Sequence, residues 1–423
     1  MDYNTLDNAS LEEIETHAAE RYEGISRRNL QLDMTRGKPG SEQLDLSDGI
    51  LGIVGTGDCT GQGGDYRNYG ILTGIPEAKD FFATYMEVEP ENIIVGGNSS
   101  LTMMYDAIVG ALLFGVPGGA GPWKDLGTIK FLCPVPGYDR HFAICERLGI
   151  EMIPVDMNDD GPDMDVVEKL VAADDAIKGV WCVPKYSNPT GIVYCDAVVE
   201  RLAGMKAAAA DFRIIWDNAY AYHHLGSGPA SVQNILKACE AAGTSDRALM
   251  FGSTSKVTHA GAGVAMMAAS ANNIADATKK QFYSSIGPDK INQLRHVRFF
   301  ENRDGLLSHM DKHAEIIAPK FAAVDQALES HLAGKGIATW TRPDGGYFVS
   351  VDLVEGCASE VVRLAGEAGV KLTPAGATYP LGDDPKDRNL RIAPTMPSVE
   401  EVKLAMEVFC VCVELATAKK LRG

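Results

Sequence analysis

Two stretches, GVWCVPKYSNPTG at 179–191 and FRIIWDNAY at 212–220, decide the fold of this 423-residue chain. Each begins with a largely apolar run, which is typical of a strand buried on both faces of a parallel sheet. Each continues directly into polar residues. Because ligands of open α/β sheets bind outside the carboxyl ends of the strands, the two stretches predict a parallel sheet with a ligand site at one edge.

Short β-branched runs alternate with helix-length segments from about residue 90 onward. This alternation is the pattern of an α/β fold, a mostly parallel sheet wrapped by helices. Strands are predicted at 92–96, 128–134, 151–155, 179–183, 212–217, 248–252 and 264–269. Helices are predicted at 101–113, 140–148, 164–172, 196–210 and 273–283.

The pattern changes after about residue 285, which predicts a second and smaller α+β unit. A long amphipathic helix is expected at 311–332, and WTRPDGGYFVSVDL and a closing helix at 398–416 follow it. The helical pattern at 11–27 and the loop MTRGKPGSEQ are assigned to the same unit. The predicted division is 1–50 as part of the small domain, 51–310 as the large α/β domain and 311–423 as the small C-terminal α+β domain.

The charge of the chain argues against two classes of partner. Lys and Arg total 39 against 57 Asp and Glu, a formal charge of -18 that repels nucleic-acid phosphates and anionic lipid. No apolar stretch reaches the ~18 residues of a membrane span. Nine scattered cysteines without CxxC spacing and an acidic, polar N-terminal stretch favour a reduced, cytoplasmic and unprocessed protein. We therefore expect neither a nucleic-acid nor a membrane partner.

Common nucleotide and metal motifs are incomplete. The GTG at 55–57 and the GAG at 261–263 lack the third glycine of a Rossmann fingerprint. His309 and His313 are four residues apart on a predicted helix, but no HExxH motif or third ligand accompanies them. They are expected to be two surface histidines, and no metal site is predicted.

Three polar segments follow predicted strands: KYSNPTG at 185–191, DNAY at 217–220 and STSK at 253–256. Burying a lysine at the end of a strand costs free energy, so such a lysine is expected to have a chemical function. A desolvated amine can attack an aldehyde. Pyridoxal phosphate (PLP) offers an aldehyde, a phosphate and a ring nitrogen that a buried carboxylate keeps protonated. Lys256 and Asp217 suit these two roles. Taken alone, Asp217 could equally be a helix cap or a loop carboxylate.

A phosphate needs backbone N–H groups at a helix N-terminus and nearby hydroxyls. The segment GGNSS at 96–100 lies between a predicted strand and an apolar helix, and Ser253 and Ser255 would add donors. A strand-Gly-Ser-helix turn can also be a simple helix cap.

The motifs occur in one order: Tyr69-x4-Gly74, GNSS, PxPGY, SNPTG, DNAY, STSK, PDGGYF and NLRIA. In this order the chain resembles, over nearly its whole length, the class I aminotransferases of PLP fold type I. RGKPG, GNSSL, CPVPGYDRH, WCVPKYSNPTG and WDNAYAYHHL are most similar to the bacterial aspartate aminotransferases called type Ic. The resemblance implies an α/β large domain that binds PLP and a smaller α+β domain.

The resemblance implies roles for the residues around the cofactor ring. Lys256 matches the Schiff-base lysine, which also moves the Cα proton of the substrate. Asp217 matches the partner of the pyridine nitrogen. Tyr220 and Asn188 match the two groups that hydrogen-bond the phenolate oxygen of the ring, and Tyr138 matches the aromatic side chain stacked on it.

The resemblance also implies a phosphate site and a dimer. The residues assigned to the phosphate are Asn98, Ser99, Ser100, Ser253 and Ser255. Tyr69 matches a tyrosine that reaches the phosphate of the neighbouring subunit's cofactor, which implies a homodimer with shared sites. The family usually has a phosphate-binding arginine eight residues after the lysine, where this chain has Val264. His259 or a cation far away in the sequence would have to replace it.

Substrate-binding residues follow from the same resemblance. Arg391 in NLRIA matches the arginine that pairs with the α-carboxylate of the substrate, beside Asn188. Gly37 matches a glycine of a mobile segment that closes over the substrate. No motif matches a group for a second, distal carboxylate. Arg36 and Lys38 are candidates on charge and position, and they could equally be exposed loop cations.

The predicted function is transfer of an amino group from an L-amino acid, aspartate being the first choice, to 2-oxoglutarate by a ping-pong mechanism. The expected partners are small amino acids and 2-oxo acids. A PLP-dependent β-lyase, decarboxylase or aldolase is the alternative, because a fold does not determine which bond is broken. A non-catalytic regulator that binds PLP is a remote third hypothesis.

Overall fold

The computed structural model describes residues 2–226 and 228–423. Its α-helices are α1 (Asn8–Ser26), α2 (Ser41–Asp45), α3 (Pro76–Met86), α4 (Ser100–Phe114), α5 (Asp139–Leu148), α6 (Met164–Ala173), α7 (Asp196–Gly204), α8 (Ile235–Ala241), α9 (Ala271–Gln281), α10 (Lys290–Phe300), α11 (Arg303–Leu332), α12 (Ala358–Glu367) and α13 (Val399–Arg422). Short 3-10 helices lie at Tyr3–Thr5, Asp48–Leu51, Pro90–Asn92, Trp123–Asp125 and Pro380–Gly382.

The strands form one large and three small sheets. They are β1 (Leu32–Asp33), β2 (Thr60–Gly61), β3 (Gly64–Asp65), β4 (Ile93–Val95), β5 (Lys130–Val135), β6 (Glu151–Asn158), β7 (Gly161–Pro162), β8 (Ile177–Cys182), β9 (Arg213–Asp217), β10 (Ala248–Ser253), β11 (Ala265–Ala269), β12 (Ala338–Trp340), β13 (Val349–Leu353), β14 (Val370–Lys371) and β15 (Asn389–Ile392).

The large sheet has the strand order β4-β11-β10-β9-β8-β5-β6-β7. Strands β10, β9, β8, β5 and β6 are parallel to one another, whereas β4, β11 and β7 pair in the antiparallel sense. Along β9, Ile214 and Trp216 face one apolar cluster and Ile215 faces another, so the strand is buried on both faces. The predicted α/β class with a mostly parallel sheet is confirmed.

Several predicted helices have different bounds in the structure: for example, the closing helix predicted at 398–416 is α13, which continues to Arg422. Helix α7 ends at Gly204 instead of residue 210, because the chain turns so that Ala208 N–H donates to the Val171 carbonyl at 2.9 Å. Helix α11 begins at Arg303 instead of residue 311, with the Asn302 side chain capping its first turn. It then continues through Pro319 to Leu332.

A separate apolar cluster lies outside the large sheet. It is formed by α1, the C-terminal half of α11, α12, α13 and the three-stranded antiparallel sheet β12-β13-β15. Helix α13 packs on both α1 and α11. We propose from this cluster that residues 1–50 belong with 311–423, as the sequence predicts. In the sheet β12-β13-β15, Arg391 of β15 lies opposite Ser350 of β13.

The prediction that His309 and His313 are surface residues is wrong. They are 6% and 1% exposed, and their Nε2 atoms lie 3.1 Å apart. Their face of α11 packs against α2 and the loop after Lys256, where the Val257 carbonyl lies 2.7 Å from His309 Nε2. Within residues 2–226 and 228–423, no set of three or more His, Cys, Asp or Glu side chains could hold a metal ion. No helix in these ranges is long and apolar enough to cross a membrane.

Candidate active site

The three polar segments that follow β8, β9 and β10 meet at one edge of the large sheet. Asp217 is the last residue of β9, which lies between β8 and β10. The amine of Lys256 lies 4.8 Å from the ring centre of Tyr220. Asn188, which follows β8, accepts a hydrogen bond from Arg391 at 3.2 Å. The segments therefore bring an amine, a carboxylate, a phenol and an amide into one cleft.

The amine of Lys256 is desolvated. Burial lowers the pKa of Lys256, and the negative charge of Asp217 partly opposes this shift. A lowered pKa increases the neutral fraction of the amine, which is the form that attacks a carbonyl and accepts a proton. The environment of Lys256 therefore suits a nucleophile and base.

Asp217 is buried with one carboxylate oxygen paired and the other unpaired. It is 2% exposed, and His141 Nε2 donates to its Oδ2 at 3.0 Å. Its Oδ1 has no hydrogen-bond partner within the described part of the chain. An unpaired buried carboxylate oxygen is costly, so the site fits a ligand that brings an N–H donor. The protonated ring nitrogen of PLP is such a donor.

His141 is a site residue for which the sequence analysis assigned no role. It lies in the first turn of α5, and its ring stacks on Trp181 with centroids 4.1 Å apart and planes 8° apart. The stacking and the bond to Asp217 hold both side chains in place. The sequence could have indicated His141, because residues three apart share a helical face and His141 is three residues after Tyr138.

Tyr138 and Tyr220 flank this carboxylate. Tyr138 is the N-cap residue of α5, and its ring lies edge-on to His141 with centroids 4.9 Å apart. Burial, with the charge of Asp217 adding to it, raises the pKa of the Tyr138 phenol. Burial likewise raises the pKa of Tyr220, so both phenols keep their protons. Each can therefore act as a hydrogen-bond donor.

The residues predicted to bind phosphate come together at the N-terminus of α4. Ser99 caps this helix by accepting from Thr102 N–H at 3.2 Å, and Ser100 is its first residue. The Ser255 hydroxyl donates to the Asn98 carbonyl at 3.0 Å and lies 3.2 Å from the Ser253 hydroxyl. Free N–H groups of a helix N-terminus and adjacent hydroxyls suit an anion.

The position of the missing family arginine is apolar. Val264 is buried, and its N–H donates to the Thr254 hydroxyl at 2.9 Å. His259, the nearby alternative, lies 3.5 Å from the Asp48 carboxylate. His259 therefore stays a candidate for the phosphate cation.

Arg391 lies in β15 with its guanidinium directed toward the sheet edge. Its Nη1 donates to Asp139 at 2.8 Å and to Asn188 at 3.2 Å. Its Nε has no partner among residues 2–226 and 228–423, although it is buried. The guanidinium lies 4.9 Å from the ring centre of Phe348, and a Cβ atom at Gly37 would overlap that ring. Gly37 therefore allows the N-terminal segment to pack close to Arg391.

The remaining predicted residues lie in solvent. Arg36 and Lys38 have exposed side chains, although the Lys38 carbonyl accepts from the Thr395 hydroxyl at 3.0 Å. Tyr69 is 80% exposed and is not brought to the cleft of its own chain. Its predicted role toward a neighbouring subunit stays a prediction.

The fold and this set of groups define a class of protein. The groups in the cleft fit the parts of PLP one by one: the desolvated lysine fits the aldehyde and the buried carboxylate fits the ring nitrogen. The Tyr138 ring fits the ring face, and the helix N-terminus with its hydroxyls fits the phosphate. The class is therefore that of the PLP-dependent enzymes of fold type I.

Comparison with known proteins gives the family. The family model for aspartate amino-transferase matches residues 6–423. A Corynebacterium glutamicum aspartate aminotransferase is 48% identical over 400 residues, 94% of this chain and 92% of the relative. A Mycolicibacterium smegmatis protein described as an aminotransferase is 50% identical over 405 residues, 95% of each chain. The crystal structure of an aspartate transaminase from C. glutamicum superposes with a TM-score of 0.98 at 46% identity, covering 100% of this chain and 99% of that one.

The chain belongs to the aspartate aminotransferase family. It is an aminotransferase, and its cofactor is PLP. The resemblance stated from the motifs is thereby confirmed.

Proposed function

We propose that this aminotransferase moves the amino group of L-aspartate to 2-oxoglutarate by a ping-pong mechanism, with Lys256 as the residue that links PLP as a Schiff base and carries the substrate proton. The observation that carries the proposal is the position of the Lys256 amine. The amine is buried next to the Tyr220 ring, and its pKa is lowered by burial and partly restored by the charge of Asp217. The names of the relatives support aspartate as the amino donor.

PLP, when bound, supplies an aldehyde and an electron-withdrawing ring. The residues of the chain would supply the rest of the chemistry. Asp217 would hold a proton on the ring nitrogen, and His141 would keep the Asp217 carboxylate oriented. Tyr138 would cover one face of the ring, while Asn188 and Tyr220 would donate to its phenolate oxygen. The neutral amine of Lys256 would accept the Cα proton of the substrate and deliver it again.

The α-carboxylate of the substrate would bind to Arg391 in place of Asp139. A guanidinium donates two parallel hydrogen bonds to a carboxylate, and a lysine amine does not. The buried Nε of Arg391 has no partner in the described part of the chain, and it supports this role because it leaves a further donor available to a bound carboxylate. Arg36 and Lys38 are proposed for the distal carboxylate, on their charge and on their place beside Gly37.

The Arg391→Lys variant tests the assignment of the α-carboxylate. We expect kcat/KM for aspartate to fall about 10- to 150-fold, the value of one charge-assisted hydrogen bond of about 1.5–3 kcal/mol. Arg388→Lys is the matched control, because Arg388 pairs with Asp352 at 3.1 Å outside the cleft. Steady-state kinetics of both variants give the result. Equal kcat/KM values in the two variants would show that Arg391 does not bind the substrate.

A single-turnover assay tests the function itself. Aspartate added alone to PLP-loaded enzyme should release oxaloacetate in an amount equal to the active sites and then stop. Later addition of 2-oxoglutarate should restart turnover and release glutamate. A lyase, decarboxylase or aldolase would turn over continuously without an oxo acid, so continuous release of pyruvate, ammonia or carbon dioxide would refute transamination.

We also propose a homodimer in which Tyr69 reaches the phosphate of the neighbouring cofactor. Beside the segment that carries Tyr69, a second segment has large apolar side chains exposed to solvent: Phe282 (70%), Tyr283 (83%) and Ile286 (65%). Gly70 N–H donates to the Ile286 carbonyl at 3.1 Å, which joins the two segments. An exposed apolar patch of this kind is typical of a protein interface.

The Tyr283→Asp variant tests the dimer, because a carboxylate placed in an apolar interface must be desolvated. We expect the mass in light scattering to shift from two chains toward one at low protein concentration. Leu381→Asp, at an exposed leucine in the 3-10 helix packed on α5, is the control and should not change the mass. A single-chain mass for the unmodified protein would contradict the proposal.

A cytoplasmic location is proposed on the composition of the chain. Nine scattered cysteines without CxxC spacing are typical of a reducing compartment. Fractionation of cells that express the protein should recover its activity with cytoplasmic marker enzymes, and recovery with secreted proteins would contradict the proposal.

A further inference from the structure

The main chain around Lys256 is held by side chains from distant elements. The Lys256 carbonyl accepts from the Tyr347 hydroxyl at 3.3 Å, and His223 Nε2 lies 3.3 Å from the same oxygen. The next carbonyl, that of Val257, lies 2.7 Å from His309 Nε2. Two consecutive peptide groups beside the reactive lysine are therefore positioned by a phenol and two imidazoles.

Gln43, in α2, determines which way the Tyr347 hydroxyl points. Gln43 is fully buried, and its Oε1 accepts from Gly40 N–H at 3.1 Å, which fixes the orientation of the amide. Its Nε2 is then the donor, at 3.1 Å, to the Tyr347 oxygen and to His313 Nδ1. Because the Tyr347 oxygen accepts from Gln43, its single proton is left for the Lys256 carbonyl.

The protonation states of the histidines agree with Gln43 as donor to His313 and with the Lys256 carbonyl as acceptor. Burial, with the neighbouring His309 adding to it, lowers the pKa of His313 to about 3, so His313 is neutral and its Nδ1 can accept. Burial also lowers the pKa of His223, and a neutral His223 can donate from Nε2 while Nδ1 has no partner in the described part of the chain. No member of the network has to change its charge at neutral pH.

We propose that Gln43 is a positioning residue for the reaction: it orients the Tyr347 hydroxyl, which holds the Lys256 main chain and thereby the reactive amine. This inference rests on the proposed role of Lys256. Gln43 also lies six residues after Gly37, in a helix anchored by the ion pair of Glu42 with the buried Lys320 at 2.6 Å. The network thus joins the segment that packs beside Arg391 to the loop that carries the lysine.

The isosteric variant Gln43→Glu tests the inference. An ionised carboxylate can still accept from Gly40 N–H, but it cannot donate to Tyr347 and would instead accept the Tyr347 proton. The Lys256 carbonyl would lose its bond from Tyr347, as expected for Tyr347→Phe, and would keep its contact with His223. We expect each variant to lower kcat about 3- to 10-fold with KM for aspartate within about twofold, the range of one hydrogen bond.

The double variant separates positioning from general damage to the fold. If Gln43 acts through Tyr347, Gln43→Glu combined with Tyr347→Phe should lower kcat no further than the stronger single variant. The circular dichroism band of bound PLP should shift in the same direction in all three proteins. Glu42→Gln, which weakens the anchoring of the same helix without touching the network, should leave kcat and this band unchanged.

Multiplied effects in the double variant would overturn the inference, and so would an unchanged kcat in Gln43→Glu. A fall in kcat of the Glu42→Gln control equal to that of Gln43→Glu would also overturn it, because anchoring of α2 would then explain the loss. Failure of the proposed function is distinguishable, since the unmodified enzyme would then show no transamination in the single-turnover assay.

Discussion

The Lys256→Ala variant is expected to lose transamination, with kcat falling by at least ~10⁴-fold, the upper range for removal of a general acid or base. The loss should be this large because one amine is proposed both to link the cofactor and to carry the substrate proton. Kinetic assays with aspartate and 2-oxoglutarate at high enzyme concentration measure it. PLP should still bind in part, because the groups at the N-terminus of α4 and Asp217 remain.

A second buried lysine provides the control for Lys256. Lys185 follows β8, its amine donates to the Ala221 carbonyl at 2.7 Å, and burial lowers its pKa to about 8. A low pKa alone therefore does not distinguish the two lysines, whereas the proximity to Tyr220 and Asp217 does. Lys185→Met should keep kcat within about tenfold of the unmodified enzyme, an allowance for one lost hydrogen bond. Comparable losses in both variants, or activity in Lys256→Ala within tenfold of normal, would contradict the assignment.

The Asp217→Asn variant is expected to lower kcat about 10²- to 5 × 10³-fold. Removing one partner of a buried charged pair costs about 3–5 kcal/mol, and here the pair would be the carboxylate and the protonated ring nitrogen. An amide keeps the size of the side chain and removes the negative charge. The kcat per PLP-loaded site, measured with the fraction of loaded enzyme, gives the effect on the reaction itself.

Another buried carboxylate near β9 separates this effect from loss of stability. Asp211 accepts from Lys178 at 2.7 Å and from the Trp123 indole at 2.9 Å, away from the cleft. Asp211→Asn should lower Tm, because it leaves a buried ammonium without its charge partner, and should leave kcat per loaded site unchanged. Asp217→Asn with normal kcat per loaded site would show that its charge is not needed for the reaction.

The cleft could be predicted largely because its residues follow strands. Asp217 ends a buried strand, and Asn188 and Lys256 each come shortly after one. Neighbouring parallel strands end at the same edge of a sheet. Arg391 was predicted only through the resemblance, since β15 belongs to a different sheet and nothing in the local pattern relates it to Asn188.

Other parts depend on packing between distant elements and could not be predicted in this way. Helical periodicity shows that His309 and His313 share a face of α11, but it does not show that α2 covers that face. The role of Gln43 similarly depends on contacts with Tyr347, which is 304 residues away in the sequence. The early end of α7 depends on a hydrogen bond to Val171, which no pattern in the sequence of α7 itself indicates.

Reduction of the active PLP-loaded enzyme with borohydride, followed by peptide mapping, tests the central claim most directly. Borohydride converts the linkage between cofactor and lysine into a stable secondary amine, so the cofactor stays on the residue that held it. The label should be found on Lys256, with loss of activity in proportion to labelling. Label on Lys185, or none on Lys256 in enzyme that was active before reduction, would contradict the account.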